Sequence, residues 1–192
     1  MDKTFSQDPF LQEAYEFAKL AHCKQVRKGT DLPYVTHLVE AAHIAQSMAD
    51  DREIIAATLL HDVVEDTPYT VLDIQKKFGD RVAHLVDEET QRRKPGEDRE
   101  ASWHRRKEAT ILKLVGAPRD VQIIALSDKL SNLRETKRAI GQVGEQVWQR
   151  FNQKEKSEHG WYFDNILKAL APLSGEKAYE EFENLIREIF HL

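Results

Sequence analysis

One histidine and three carboxylates stand within six residues of the sequence, inside a run that is otherwise apolar. The run reads Leu59-Leu60-His61-Asp62-Val63-Val64-Glu65-Asp66-Thr67. Burying so many carboxylates is costly unless a partner compensates their charge, and a metal ion is the obvious partner. The run therefore suggests a metal site, and other parts of the chain would have to supply the missing ligands.

Two further candidate ligands lie far away in sequence. His37 stands at the start of a predicted helix, and Asp128 is a carboxylate inside an apolar helix, with Asn132 one turn later on the same face. Because His61 and Asp62 are adjacent, they diverge by about 100° on a helix. Both still reach one ion if it sits near the helix end. Two imidazoles and two carboxylates suit a divalent transition metal such as manganese, iron or zinc.

An acidic pair and a basic pair complete the candidate chemistry. Glu65 and Asp66 lie one turn beyond the proposed ligands, where they would be free to orient or deprotonate an attacking water. Arg27 and Lys28 lie in a predicted loop whose end is tied to His37, and such cations would complement phosphate. The pattern is typical of a metal-dependent hydrolase with a phosphorylated substrate.

Each of these residues also has an ordinary structural interpretation. His37 could be a surface histidine or a satisfied core histidine, and Asp128 could pair with Lys129 or Arg134. The acidic pair could be a solvated helix end and the basic pair a solvated loop. The Trp148, Trp161 and Tyr162 group is predicted to be core or groove wall. No partner pattern supports a role for His22, His43, His84, His104, His159 or His191.

Apolar residues recur at three- and four-residue spacing along most of the chain, which predicts helices. Asp50 is the predicted N-cap of the third helix, residues 91–101 are a predicted loop, and no stretch shows the alternation of a strand. The predicted fold is all-α, an irregular orthogonal helical bundle. The predicted helices cover about 10–25, 35–48, 52–64, 70–79, 80–90, 103–115, 119–137, 141–152, 158–170 and 175–190.

The bulk composition is that of an ordinary globular protein: 192 residues, 41% hydrophobic, 32% charged and a net charge of -5. We expect one domain over residues 1–192, with neither a nucleic acid nor a membrane as partner. The single Cys23 excludes an internal disulfide and suits a reducing cytoplasm. Residues 1–10 lack the apolar core of a signal peptide, and no run approaches the roughly 20 apolar residues of a membrane span. The expected location is cytoplasmic, and composition does not indicate an oligomeric state.

Four motifs, in this order and spacing, resemble the HD phosphohydrolase superfamily. Within it the resemblance is to the hydrolase domain of RelA/SpoT-type enzymes and to the stand-alone small alarmone hydrolases. It covers roughly residues 10–170, and Ala21-His22-x-x-Gln25-x-Arg27-Lys28 extends it toward the N-terminus. The motifs are Pro33-Tyr34-x-x-His37, then Leu59-Leu60-His61-Asp62-x-x-Glu65-Asp66-Thr67, then Phe78-Gly79, then Asp128-Lys129-Leu130-x-Asn132-Leu133-Arg134.

The resemblance implies a single HD-type hydrolase domain with a motif-bearing core at about residues 10–170 and a C-terminal helix at 175–190 packed on it. It also implies one manganese ion. Glu65 and Asp66 match the family's catalytic acidic pair, which positions and activates the attacking water. The implied metal ligands are His37, His61, Asp62 and Asp128.

The resemblance further implies a nucleotide substrate. Arg27 matches the arginine that packs on the purine base, Lys28 lies beside it, and Asn132 matches an asparagine that faces the ribose. The implied reaction removes the 3′-pyrophosphate of guanosine tetra- or pentaphosphate and gives GDP or GTP. Because the chain is too short for the synthetase and regulatory domains of long RelA/SpoT enzymes, hydrolysis alone is expected.

The sequence departs from the family pattern at Leu38, Gln91 and Ser127, none of which removes a proposed ligand. The segment 140–165 also differs from that of the animal alarmone hydrolases. Two other functions therefore stay open. One is an HD hydrolase acting on another phosphorylated nucleotide, such as an adenosine analogue, NADPH or a nucleoside phosphate. The other is a non-catalytic nucleotide-binding HD module, which would have no need of the acidic pair.

Overall fold

The computed structural model describes residues 5–91, 96, 98 and 100–190, and these residues form ten α-helices. Two 3-10 turns, Gly144–Arg150 and Ala171–Leu173, precede and follow the ninth helix. The helices are α1 (Pro9–Ala21), α2 (Val35–Gln46), α3 (Arg52–Leu60), α4 (Val63–Asp66), α5 (Val71–Phe78), α6 (Asp80–Glu89), α7 (Trp103–Leu114), α8 (Arg119–Val143), α9 (Lys156–Ala169) and α10 (Lys177–Phe190).

The all-α fold predicted from the sequence is confirmed. Over the described residues the only β-pairing is an isolated antiparallel bridge between Val26 and Pro33, at the neck of the loop that joins α1 to α2. No helix in this part of the chain is long and apolar enough to cross a membrane. Residues 92–95, 97 and 99 of the predicted 91–101 loop, and the ends of the predicted 1–192 domain, lie outside the described residues.

Helix boundaries follow local capping chemistry. The predicted start of α5 is confirmed, because Thr70 and Asp73 form a reciprocal capping box. Its predicted end is confirmed as well, since Gly79 adopts a φ of +91° directly after it. The predicted cap at Asp50 is wrong. Asp51 caps α3 instead, because its extended backbone lets its carboxylate accept a hydrogen bond from the Glu53 N–H at 2.9 Å.

One predicted helix, 52–64, is divided into two. Helix α3 ends at Leu60 and α4 begins at Val63, so His61 and Asp62 lie in the joint between them. The His61 side chain donates to the Thr58 carbonyl at 2.7 Å, and Asp62 has a φ of -93° and a ψ of -6°. This joint brings the His61 Nε2 within 3.1 Å of the Asp62 carboxylate. The side chains of His61 and Asp62 therefore meet, although these residues are neighbours in sequence.

Helix α8 is the central element and is longer than predicted. It packs against α2, α3, α6 and α10, and most of its residues are buried. The predicted separate helix 141–152 is confirmed only in part: residues 141–143 belong to α8, and residues 144–150 form a 3-10 helix. Helix α8 continues through Val143 and stops at Gly144, whose φ of +60° ends the helix and starts the first 3-10 turn. The end of that turn lies beside the loop that joins α1 to α2, with Arg150 close to Gly29.

Candidate metal centre and its cavity

Three mutually packed helices carry the candidate ligands. His37 lies in the first turn of α2, His61 and Asp62 lie at the joint between α3 and α4, and Asp128 lies in the middle of α8. Helices α2, α3 and α8 pack against one another in pairs. Because all three are anchored in the apolar core, the ligand side chains meet at a fixed place inside the bundle.

The structure brings all four candidate ligands together. One donor atom from each of His37, His61 and Asp128 lies within 4.8 Å of the other two. Oδ1 of Asp128 is 3.1 Å from the Nε2 of His37 and 3.5 Å from the Nε2 of His61. Oδ2 of Asp62 flanks this group, 3.1 Å from the Nε2 of His61 and 3.7 Å from that of His37. Two imidazole nitrogens and two carboxylate oxygens therefore face one small volume.

A hydrogen bond orients the His61 ring within the cluster. The His61 Nδ1 contacts the Thr58 carbonyl oxygen, which can only accept, so the proton of the neutral ring is on Nδ1. The Nε2 lone pair then faces the carboxylates. This Nε2 is buried, and no hydrogen-bond partner for it exists in the described part of the chain. A buried nitrogen that has no partner and lies beside two carboxylates fits a metal ligand.

The charges of the cluster also fit a cation. Burial alone would lower the pKa of His61, but the carboxylates of Asp62 and Asp128 raise this pKa well above its ordinary value. Burial alone would raise the pKa of Asp128, but Lys129 and the two histidines hold it well below its usual range. The two carboxylates thus attract a proton to His61 when no cation is present. A divalent ion would supply that positive charge instead.

Each carboxylate is held by a further donor. The Asp128 Oδ2 pairs with the Lys129 ammonium, while the Asp128 Oδ1 accepts from the Asn132 amide at 2.6 Å. The Tyr34 hydroxyl donates to the Asp62 Oδ2 at 2.7 Å. The pairing of Asp128 with Lys129, one of the alternatives left open by the sequence, is therefore present together with the cluster. Donors behind the ligands keep the oxygens directed at the shared volume.

A cavity of about 440 Å³ opens beside the cluster and is lined by most of the predicted site residues. Glu65 lines it and accepts a hydrogen bond from the Gln91 backbone N–H at 3.0 Å. Asn132 also lines it. Asp66 is exposed and is not among the lining residues, so the structure brings only one member of the acidic pair into the cavity.

The basic pair lies at the same cavity. Arg27 is only 6% exposed, and its guanidinium lies 3.6 Å from Glu40 and 4.0 Å from Glu135. The Arg27 side chain is therefore buried and ion-paired, and it is not a solvated loop residue. Lys28 is exposed, and its ammonium lies 5.3 Å from the centre of the Phe151 ring.

Among the described residues four more cations line the cavity, and none of them was predicted from the sequence to belong to the site. They are Arg106, Lys107, Lys129 and Arg150. Burial, and then the charge of Lys129, lower the pKa of Lys107 to about 8. Only Lys129 carried a signal that could have been used, because it follows Asp128 directly. The others lie on α7 and the 3-10 turn, outside every recognised motif.

Aromatic rings form another wall of the cavity. Trp148, Phe151, His159 and Tyr162 line the cavity, and the centre of the His159 ring lies 5.1 Å from the ring centres of Trp148 and Phe151. The groove-wall interpretation of Trp148 and Tyr162 agrees with this placement. Trp161 instead stacks on His104 at 4.0 Å. The site role of His159 was missed because its neighbours come from other parts of the chain.

Residues 14–156 match the family model described as HD domain. The match covers well over half of the 192 residues. The chain belongs to the HD-domain family. In this HD domain the adjacent residues His61 and Asp62 lie at the joint between α3 and α4.

Named relatives of this HD domain are similar over about two thirds of its length. It is 34% identical over 128 residues to guanosine-3′,5′-bis(diphosphate) 3′-pyrophosphohydrolase MESH1 of Drosophila melanogaster, covering 65% of this chain and 68% of that protein. A protein of the same enzymatic name from Aquifex aeolicus is 41% identical over 124 residues. The chain spans only 14–17% of the length of the long bacterial relatives, including the Aquifex protein.

A solved structure is similar over nearly the whole chain. It is a metazoan ortholog of SpoT, described as hydrolysing ppGpp, with a TM-score of 0.71 and 25% identity. The similarity covers 96% of this chain and 95% of that one. The HD-type bundle predicted from the sequence is therefore confirmed.

Proposed function

We propose that this HD domain is a metal-dependent hydrolase that removes the 3′-diphosphate of guanosine 3′,5′-bis(diphosphate). An oxygen of water bonds to the phosphorus attached to the ribose 3′-oxygen, and the bond between that phosphorus and the 3′-oxygen breaks. The products are pyrophosphate and GDP, or GTP from the pentaphosphate. The observation that carries the proposal is one cavity with a two-histidine, two-carboxylate cluster beside Glu65 and several cations.

Four side chains would hold the metal, for which we propose manganese. Carboxylate oxygens make up half of the donor set, which favours a harder divalent ion over a thiophilic one. When bound, the ion polarises phosphoryl oxygens and makes water easier to deprotonate. The proposed ligands are His37, His61, Asp62 and Asp128.

Glu65 is the proposed group that takes the proton from the attacking water. It lines the cavity one turn beyond Asp62, and its hydrogen bond from the Gln91 backbone holds one carboxylate oxygen in place. A carboxylate at this position can take up a proton, as general-base catalysis requires. We propose Asp66 as the second acidic residue of the site, acting from its exposed position at the end of α4.

The remaining cavity residues would bind the nucleotide. We propose that Arg27 packs on the purine, that Lys28 lies beside it, and that Asn132 faces the ribose. Lys129 and Lys107 carry positive charge into the cavity next to the cluster, where they would balance the diphosphate. Guanidinium and ammonium groups on both sides of the cavity suit a substrate with phosphates at both its 3′ and 5′ positions.

The relatives support the same reaction, because MESH1 and the Aquifex protein are named for it and the similar solved structure is described as hydrolysing ppGpp. We also propose that residues 1–192 act as one domain, with a core at about 10–170 and the C-terminal helix on it, in the cytoplasm. One hydrophobic cluster joins residues from α1 through α10, which supports a single unit.

The test is turnover of a nucleotide panel by the manganese-loaded protein. The panel contains guanosine tetraphosphate, its adenosine analogue, NADPH and deoxynucleotides, and pyrophosphate release is measured for each. We expect release from guanosine tetraphosphate, abolished in Asp62→Ala together with manganese binding. Preference for another member would assign a different substrate to the same site. No turnover of any member by metal-loaded protein would favour a non-catalytic nucleotide-binding module.

A further inference from the structure

Glu40 connects two functional side chains although it lies outside the cavity that they line. It follows His37 by one turn on α2 and lies at an adjoining groove that it shares with Arg134 and Arg138. Its Oε2 accepts a hydrogen bond from the Ser131 hydroxyl at 2.8 Å, and Ser131 Oγ lies 2.9 Å from the His37 Nδ1. A carboxylate is thus joined to a candidate metal ligand through one hydroxyl.

The donor and the acceptor of each hydrogen bond between Glu40, Ser131 and His37 can be assigned. The pKa of Glu40 is held below its ordinary value: burial opposes this, but the bonds from Ser131 and Arg138 outweigh it. An ionised carboxylate only accepts, so the single Ser131 proton goes to Glu40. Ser131 Oγ then offers only lone pairs to His37, and the His37 Nδ1 must donate. The neutral ring therefore presents its Nε2 lone pair to the cluster.

The same carboxylate also holds Arg27. The Arg27 Nη1 lies 3.6 Å from the Glu40 Oε2, with the Arg27 side chain 7% exposed and that of Glu40 22% exposed. The Arg138 Nη2 donates to this oxygen at 3.3 Å, which keeps the carboxylate from turning away. By contrast His61 is oriented by a backbone carbonyl, which no side-chain change can remove. Of the two imidazoles, His37 is therefore the one oriented by side chains that can be substituted.

We propose that Glu40 is a positioning residue with two actions: through Ser131 it fixes the tautomer and direction of His37, and by direct contact it holds Arg27 at the cavity. The first action concerns metal binding alone. The second rests on the proposed function, because it assumes that Arg27 contacts the nucleotide. The two actions predict different consequences for substitutions at Ser131 and at Glu40.

The metal half is tested by calorimetric titration of the metal-free protein with Mn²⁺ alone. We expect Ser131→Ala to weaken Mn²⁺ binding by about 10-fold to 100-fold, as is usual when the residue behind a ligand is removed. Ser127→Ala is the matched control, because Ser127 is equally buried on α8 but donates only to the Ile123 carbonyl. It should bind Mn²⁺ as the unmodified protein does. Equal affinities for the two variants would overturn the proposal.

A double variant separates action through Ser131 from action at a distance. If Glu40 works through the hydroxyl, Glu40→Ala weakens Mn²⁺ binding in the native background but has no further effect once Ser131 is alanine. Independent, multiplying losses would show that Glu40 acts by its charge alone and would contradict the chain of hydrogen bonds. Unfolding curves for each variant show whether the fold is retained.

A spectroscopic readout reports the His37 ring itself. With a diamagnetic divalent ion bound, the Nδ1–H of His37, shielded by Ser131, should give a slowly exchanging proton resonance in the histidine-labelled protein. That resonance should persist in Ser127→Ala and be lost to exchange in Ser131→Ala. Its persistence in Ser131→Ala would mean that Ser131 is not the acceptor.

Glu40→Gln separates the second action from the first. The glutamine carbonyl still accepts from Ser131, so Mn²⁺ affinity should stay within about 3-fold of the native value, but the ion pair with Arg27 is lost. At saturating Mn²⁺ the KM for guanosine tetraphosphate should rise with kcat little changed, whereas Ser131→Ala should leave this KM unaltered. An unchanged KM in Glu40→Gln would refute the second action. Absence of any nucleotide turnover by the native protein would refute the proposed function and the second action, and leave the Mn²⁺ results to decide the first.

Discussion

The two ends of the cavity are built differently. At the metal end the candidate ligands come from α2, from the joint after α3 and from α8, and each is held by hydrogen bonds from the core. The wall comes from α7, the first 3-10 turn and α9, and it consists of aromatic rings and cations. The metal end is suited to cleaving a bond, and the wall to recognising the molecule that carries it. Substitutions at the two ends should therefore affect different kinetic constants.

The largest expected effect is at the metal end. Glu65→Gln keeps the size of the side chain and a carbonyl oxygen for the Gln91 N–H, but it removes the group proposed to take the proton. We expect kcat to fall by about 10²-fold to 10⁴-fold, the usual contribution of general acid–base catalysis, with Mn²⁺ affinity unchanged. Turnover under saturating substrate and calorimetric Mn²⁺ titration measure the two quantities. A kcat within a few-fold of the native value would remove Glu65 from the reaction.

The next effect is expected at the wall. Lys107→Met removes a cation but keeps an apolar chain of similar length against the Tyr162 ring, which lies 4.6 Å from the ammonium. We expect KM to rise by about 10-fold, the order of one lost hydrogen bond to a charged group, while kcat changes little. Steady-state kinetics with guanosine tetraphosphate give both constants. A fall in kcat at constant KM would place Lys107 in the chemical step and blur the division between the two ends.

The metal end was predictable from sequence because its residues are close together in sequence or carry recognisable spacing. His61 and Asp62 stand side by side, and His37 and Asp128, although distant in sequence, lie in motifs of recognisable spacing. The wall was predicted only at Trp148 and Tyr162. Arg150 and His159 become neighbours of the cavity only through the end of α8 at Gly144 and the turn that follows. Such contacts are set by tertiary packing, which local spacing does not encode.

The residues that orient the candidate ligands were also not predicted from the sequence. Ser131 lies between two motif residues, and neither Ser131 nor Glu40 was predicted to belong to the site. Their importance comes from a contact between residues 91 positions apart. The helix break at His61 was missed for a related reason, since the competing side-chain bond to the Thr58 carbonyl depends on how the ring is placed in the folded core. Residue types indicated the ligands but not what orients them.

A smaller effect of pH on KM is expected from Lys107, at the wall. Burial and the charges of Lys129 and Arg106 lower the pKa of Lys107 to about 8, against the opposing charges of Asp128 and Glu65. Lys107 is therefore charged below about pH 8 and neutral above it. As pH rises through this value the loss of positive charge should raise KM several-fold. Lys107→Arg stays charged and should flatten this rise, and an unchanged profile in that variant would assign the titration to another group.

The smallest expected effect comes from the contact between Gly29 and Arg150. Gly29, in the loop that carries Arg27 and Lys28, has a φ of +77°, and a Cβ there would lie 2.7 Å from the Arg150 Nη1. Gly29→Ala therefore combines backbone strain with displacement of a cavity cation. Gly116→Ala is the matched control, because its φ is +76° and a Cβ would meet nothing within 4 Å.

Both alanine variants should lose about 1–2 kcal/mol of unfolding free energy, the cost of a left-handed conformation for a residue with a Cβ. Only Gly29→Ala should also raise KM, by a few-fold, since only there does the new methyl group push Arg150 away from its position. Denaturant unfolding and steady-state kinetics measure the two effects. If the two variants had equal KM values, the packing of Arg150 on the loop would have no part in substrate binding, and the two ends of the cavity would act independently.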